Sequence, residues 1–158
     1  MKIVFLDIDG VLNNLASLRF PRTRVKCSNH SYSAAHPACV KAVNHVIAST
    51  GARIVVSSTW RGIGLKVLFE IFHAWGITGM TIGTTPLFDY GFERGDEIAN
   101  WLKNNPDVDS FVILDDGDDM GALKERLVQT NYEIGLTQKD AERAVKMLVE
   151  GTQNGGTQ

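Results

Sequence analysis

Residues 1–14 read MKIVFLDIDGVLNN, and the stretch LDIDGVLN at 6–13 decides how the rest of the chain is understood. A short apolar run, Ile3 to Leu6, ends in two carboxylates, Asp7 and Asp9, with Gly10 directly behind them. Consecutive apolar residues closed by polar ones suit a strand buried on both faces, as in a parallel sheet. In an extended chain, residues two apart face the same side, so Asp7 and Asp9 can address one reacting centre. Gly10 allows a sharp turn and the close approach of a ligand.

The same pattern recurs in RIVVSS at 53–58, MTIG at 80–83 and FVILDD at 111–116, with LVQT at 127–130 as a weaker fifth strand. Helical periodicity separates them. It covers 37–49 through Val40, Val43 and Ile47, 62–74 through Leu65, Leu68, Ile71 and Phe72, and 94–104 through Ile98, Trp101 and Leu102. Further helices are expected at 118–125 and at 138–149, the last capped by Thr137. Alternating strands and helices predict an α/β fold: a single Rossmann-like, three-layer domain over residues 1–150, with a five-stranded, mainly parallel sheet and a minimal cap or none. Residues 13–36, rich in Arg, Ser, Asn and His, break the rhythm and are expected to form a basic loop or small lid. The tail 151–158, GTQNGGTQ, has nothing to bury and is expected to be disordered.

The 158 residues, 44% of them hydrophobic, suit one domain with a continuous core. No run of eighteen apolar residues and no export segment is visible, which predicts a soluble, cytoplasmic protein without a membrane partner. Cys27 and Cys39 are too few for a disulfide framework and too far apart for a zinc knuckle. The net charge is −2, but it is unevenly spread: Gly10 to Phe69 contains no acid and carries Arg19, Arg22, Arg24, Lys26, Lys41, Arg53, Arg61 and Lys66. Such asymmetry predicts an anionic partner for part of the surface. Nothing points to an obligate protein partner.

In parallel α/β sheets ligands bind beyond the carboxyl ends of the strands. Asp7, Ser57, Asp115 and Asp116 end strands there, and Arg94 opens a helix from which it can reach back to the same rim. Ser57, with Ser58 beside it, can donate to an oxyanion. Arg61 in SSTWR either contacts a substrate phosphate or caps a sheet edge, Trp60 is expected in the core, and His36, His45 and His73 lack metal-ligand spacing. Arg22 and Arg24 lie in the acid-free segment and are expected to bind the anionic partner. Crowded carboxylates require a compensating cation, and Mg²⁺ suits oxygen ligands together with phosphate.

These residues resemble the haloacid dehalogenase-like (HAD) phosphohydrolase superfamily: DIDGV matches its first motif, Ser57 its second, Arg94 its third and LDD its fourth. SSTWR, TIGTTP, RGDEIANWL and the terminal GLT are similar to the small HAD domains of RNA-repair proteins, which in turn resemble the phosphatase module of polynucleotide kinase/phosphatase. The resemblance implies that Asp7 is the nucleophile and Asp9 the acid and base. It implies that Asp7, Asp115 and the Asp9 carbonyl hold Mg²⁺, and that Ser57 and Arg94 hold the phosphoryl oxygens. Asp116 or Asp119 would hold a metal-bound water or orient Arg94, and the trailing acid stays open among Asp116, Asp118 and Asp119. The expected activity is phosphomonoester hydrolysis at a nucleic-acid terminus or nucleotide. Alternatives are a broad-specificity small-molecule phosphatase, or a receiver-like or non-catalytic domain. A receiver domain is disfavoured because its acidic pair follows the first strand, whereas here the pair comes late.

Overall fold

The computed structural model describes residues 1–15, 17, 24–27, 30–88 and 90–151. Five strands form one parallel sheet: β1 (Lys2–Leu6), β4 (Arg53–Val56), β5 (Thr81–Thr84), β6 (Ser110–Asp115) and β7 (Leu127–Gln129), in the order β5-β4-β1-β6-β7. The weak LVQT signal is therefore a true edge strand. Between β1 and β4, β2 (Arg24–Cys27) and β3 (His30–Ser33) pair as an antiparallel hairpin within the segment expected to be a loop or lid. Arg19 and Arg22 lie outside the described residues, as does the tail beyond Gly151.

β1 shows why the sheet has two covered faces. Its residues Ile3, Val4, Phe5 and Leu6 are all fully buried. Val4 and Leu6 join one apolar layer with Ile54, Val56, Val112 and Leu114, beneath α1 (Pro37–Thr50), α2 (Leu65–Trp75) and α4 (Gln138–Glu150). Ile3 and Phe5 face the other way, into a layer with Val55, Ile98, Ile113 and Met120 beneath α3 (Arg94–Lys103). Trp101 of α3 meets Phe5 edge-on, with ring centroids 5.5 Å apart. Period-two alternation in a strand buried on both faces thus yields the three layers of a Rossmann-like domain.

Two helix boundaries differ from the sequence expectation. The helix expected from 62 begins at Leu65, because Gly64 turns the chain at φ 92° after a 3-10 turn over Thr59–Ile63. The helix expected over 118–125 is instead a 3-10 turn over Gly121–Arg126. Asp119 there is engaged with α3: its carboxylate accepts from the Arg94 N–H at 3.1 Å and its carbonyl from the Gly95 N–H at 3.0 Å. Gly121 at φ 51° then prevents a regular helix from propagating back. Among the described residues no helix is long and apolar enough to cross a membrane.

The seat of α3 depends on Gly95. A Cβ there would lie 2.3 Å from the Met120 carbonyl oxygen, a backbone atom that cannot step aside. Alanine would gain about 1 kcal/mol of helix propensity. Overpacking against backbone costs more, about 3 kcal/mol. Gly95→Ala is therefore expected to lower stability by about 2 kcal/mol, read as a shift of the urea midpoint, despite improving the helix sequence.

Candidate active site

Parallel register brings the strand ends together. Leu6 is aligned with Val56 on one side and with Leu114 on the other, so Asp7, Ser57 and Asp115 emerge side by side. The ladder continues one residue further, with the Asp7 N–H on the Leu114 carbonyl and the Ser57 N–H on the Leu6 carbonyl, each at 3.0 Å. Asp7, Ser57, Ser58 and Asp115 are all buried.

After Leu6 the strand geometry stops. The Ile8 carbonyl accepts from the N–H groups of Leu12 and Asn13 at 2.8 and 2.9 Å, closing a tight turn. The turn sends Asp9 to the surface while Asp7 stays inside. Gly10, at φ 79°, lies against Asp116, and a Cβ on it would stand 2.4 Å from the Asp116 Cγ. Here the glycine is required twice, for the backbone conformation and for room beside a carboxylate.

Asp7, Asp115 and Asp116 can each present an oxygen such that all three lie within 4.8 Å of one another. Arg94 projects from the first turn of α3 into this group, with Nη1 3.5 Å from Asp7 Oδ1 and 3.6 Å from Asp115 Oδ2. Nη1 also donates to the Ser57 carbonyl, tying the guanidinium to the rim. Burial raises the Asp7 carboxyl above its usual range, against the pull of Arg94 and a hydrogen bond from Ser58. Asp115 is pushed up to about 7, first by burial and then by the charge on Asp7, with Arg94 opposing both. Asp118 turns outward to Lys124, 3.5 Å away, and Asp119 is held at the start of α3. Of the three trailing acids, only Asp116 belongs to the carboxylate group.

Two buried oxygens in this site have no hydrogen-bond partner among the described residues: Ser57 Oγ and Asp115 Oδ2. Buried polar atoms are nearly always satisfied, so a pair of exceptions at one strand rim marks a place for an incoming group. The three carboxylates form a donor set that could hold a hard divalent cation.

Arg61 is differently employed. Its side chain is only 5% exposed and forms a two-pronged pair with Glu97, at 2.8 and 2.7 Å, while Nη1 donates to the Ser57 and Ser58 carbonyls. The terminal nitrogens are thus committed to the protein, and Arg61 braces the β4 loop against α3. Glu97 reaches Arg94 Nε as well, at 3.9 Å, and accepts from the Phe88 N–H. Sequence reasoning missed Glu97, although a glutamate three residues after Arg94 on the same helix face is a visible signal. Arg24 sits on the exposed hairpin, donating to Ser31, well supplied with local partners. Trp60 packs between Tyr32 and Trp75, and its ring N–H meets Asp9, a contact absent from the sequence reading.

A Rossmann-like domain whose first strand ends in Asp-x-Asp-Gly, with a serine, a basic residue and an acidic pair gathered at the same rim, defines the haloacid dehalogenase-like class. The chain belongs to the family described as the HAD domain in Swiss Army Knife RNA repair proteins, whose family model matches residues 3–141. Family membership points to a phosphatase-type hydrolase. A search among curated proteins finds no match.

Two outcomes follow from the charges. Asp115 binds its proton more tightly folded than unfolded, where a carboxyl titrates near 4. Its contribution is therefore present at low pH and is lost as pH rises from about 4 through about 7. Without metal, the urea midpoint should be higher at pH 5 than at pH 8, and Asp115→Asn should flatten that difference. Glu97→Gln, which leaves the Arg61 charge buried without its partner, should cost about 3 kcal/mol in the same assay.

Proposed function

We propose that the protein is a Mg²⁺-dependent phosphomonoester hydrolase that works through an aspartyl-phosphate on Asp7 and acts on a nucleic-acid terminus or nucleotide. The observation that carries this reading is the unpartnered, fully buried Ser57 hydroxyl, beside a buried carboxylate and a guanidinium on the same rim. A phosphoryl group supplies the acceptor oxygen that the Ser57 hydroxyl lacks, an anion for the Arg94 guanidinium and an electrophile for Asp7.

In the first step an Asp7 carboxylate oxygen attacks phosphorus as the bond to the leaving oxygen breaks. Asp9, exposed at the mouth, gives its proton to that oxygen, releasing the alcohol. In the second step Asp9 takes a proton from water, which attacks the same phosphorus and frees Asp7 and phosphate. Ser57 and Arg94 hold the non-bridging oxygens throughout, and the Arg94–Ser57 carbonyl contact keeps the guanidinium in place. The carboxylates of Asp7, Asp115 and Asp116, with the Asp9 carbonyl, would hold Mg²⁺. When bound, Mg²⁺ neutralises the carboxylates and the charge of the phosphoryl group.

The surroundings support a polymer end over a small sugar phosphate. Leu87, Tyr90 and Phe92 are exposed on the segment after β5, and Tyr132 and Ile134 on the segment after β7. Both segments leave the sheet at the rim that carries the site, and exposed aromatics there offer stacking surfaces for bases.

With Mg²⁺, phosphate should be released from 3′- or 5′-phosphorylated oligonucleotides faster than from free nucleotides or sugar phosphates. No turnover of any of these by folded protein would contradict the reading. Equal rates on nucleotides and oligonucleotides would contradict only the polymer-end part and favour a broad-specificity phosphatase. Asp7→Asn should lower the rate on the order of 10³-fold or more.

A further inference from the structure

We propose that Trp60 is a positioning residue for Asp9, holding its carboxylate in the orientation from which the proton reaches the leaving group. The inference rests on the phosphatase reading and adds a residue to it. Trp60 Nε1 donates to Asp9 Oδ2 at 2.8 Å, while Asn13 Nδ2 approaches Asp9 Oδ1 at 3.2 Å from the neighbouring turn. Asp9 is exposed, so without these donors water would solvate it in any rotamer. Two donors, one on each oxygen, fix the plane of the carboxylate, and proton transfer depends on that geometry.

The indole is itself held. Trp60 is the second residue of the 3-10 turn over Thr59–Ile63, where its backbone N–H donates to Ser58 Oγ at 3.3 Å. Its ring packs 5.9 Å from Tyr32 on the hairpin and 5.7 Å from Trp75 on α2. Trp75 is pinned by its own Nε1, which donates to the Ser33 carbonyl at 3.1 Å. The hairpin thus supports the acid and base residue through packed rings, Tyr32 against Trp60 and Trp60 against Trp75. An indole N–H is a donor only, so a carboxylate is a partner it fits without rearrangement.

The test exploits leaving-group chemistry. p-Nitrophenolate departs without a proton, whereas a sugar alkoxide needs one. In Trp60→Phe, kcat/KM for a phosphorylated oligonucleotide should fall at least about tenfold further than kcat/KM for p-nitrophenyl phosphate. Once Asp9→Ala has been introduced, adding Trp60→Phe should produce no additional discrimination. Equal losses on both substrates, or the same extra loss in the Asp9→Ala background, would make Trp60 a packing residue and overturn the assignment. A second arm uses no Trp60 variant: the indole N–H resonance of Trp60 should move in Asp9→Ala while those of Trp75 and Trp101 stay. An unmoved Trp60 resonance would also overturn it. If wild-type protein with Mg²⁺ turned over neither substrate, the proposed function itself would fail, an outcome distinct from an unchanged ratio in an active enzyme.

Discussion

Arg94 is the positive charge around which the buried carboxylates of this domain are arranged. It stands 3.5 Å from Asp7 and 3.6 Å from Asp115, with Asp116 completing a group whose oxygens can lie within 4.8 Å of one another. At an effective dielectric of about 20, each such contact is worth about 4 kcal/mol, attractive or repulsive. At Asp115 burial and the charge of Asp7 together outweigh the attraction of Arg94, and Asp116 adds a smaller repulsion. The Asp115 carboxyl is accordingly pushed up to about 7. A divalent cation held by the three carboxylates would offset the same cost without the proton.

Much of the remaining structure serves to keep Arg94 where it is. Asp119 holds its backbone N–H, the Ser57 carbonyl holds its guanidinium, and Gly95 lets the start of α3 settle onto Met120. Glu97 lies beneath it and is shared with the buried Arg61, which ties α3 to the loop bearing Ser57 and Ser58. The same loop carries Trp60 to Asp9. Two short segments, one after β4 and one at the start of α3, thus brace each other across the rim, with the sheet as their common floor.

The sheet and its rim were legible because their signals are local. IVFL, RIVV and FVIL are apolar runs ending in polar residues, and equal strand ends follow once the strands are parallel. The family resemblance was legible for the same reason, since its motifs sit at those ends. What escaped lies in contacts between distant residues: Arg61 with Glu97, Trp60 with Asp9, Asp119 with the backbone of α3. Periodicity says nothing about which partner a buried guanidinium will take. The spacing at 118–125 predicts an α-helix, but a glycine at positive φ and the demands of α3 override it and leave a 3-10 turn at 121–126. Within 13–36 the strands Arg24–Cys27 and His30–Ser33 are too short and polar to show alternation in the sequence.

The central claim is that Asp7 carries the phosphoryl group between the two half-reactions. Acid-quenching the enzyme during turnover of a substrate with a radiolabelled phosphoryl group tests it directly. Label should remain on the denatured protein, be released by hydroxylamine as expected of an acyl phosphate, and be absent in Asp7→Asn. Steady turnover with no label on the protein at any quench time, or label that persists in Asp7→Asn, would contradict the account.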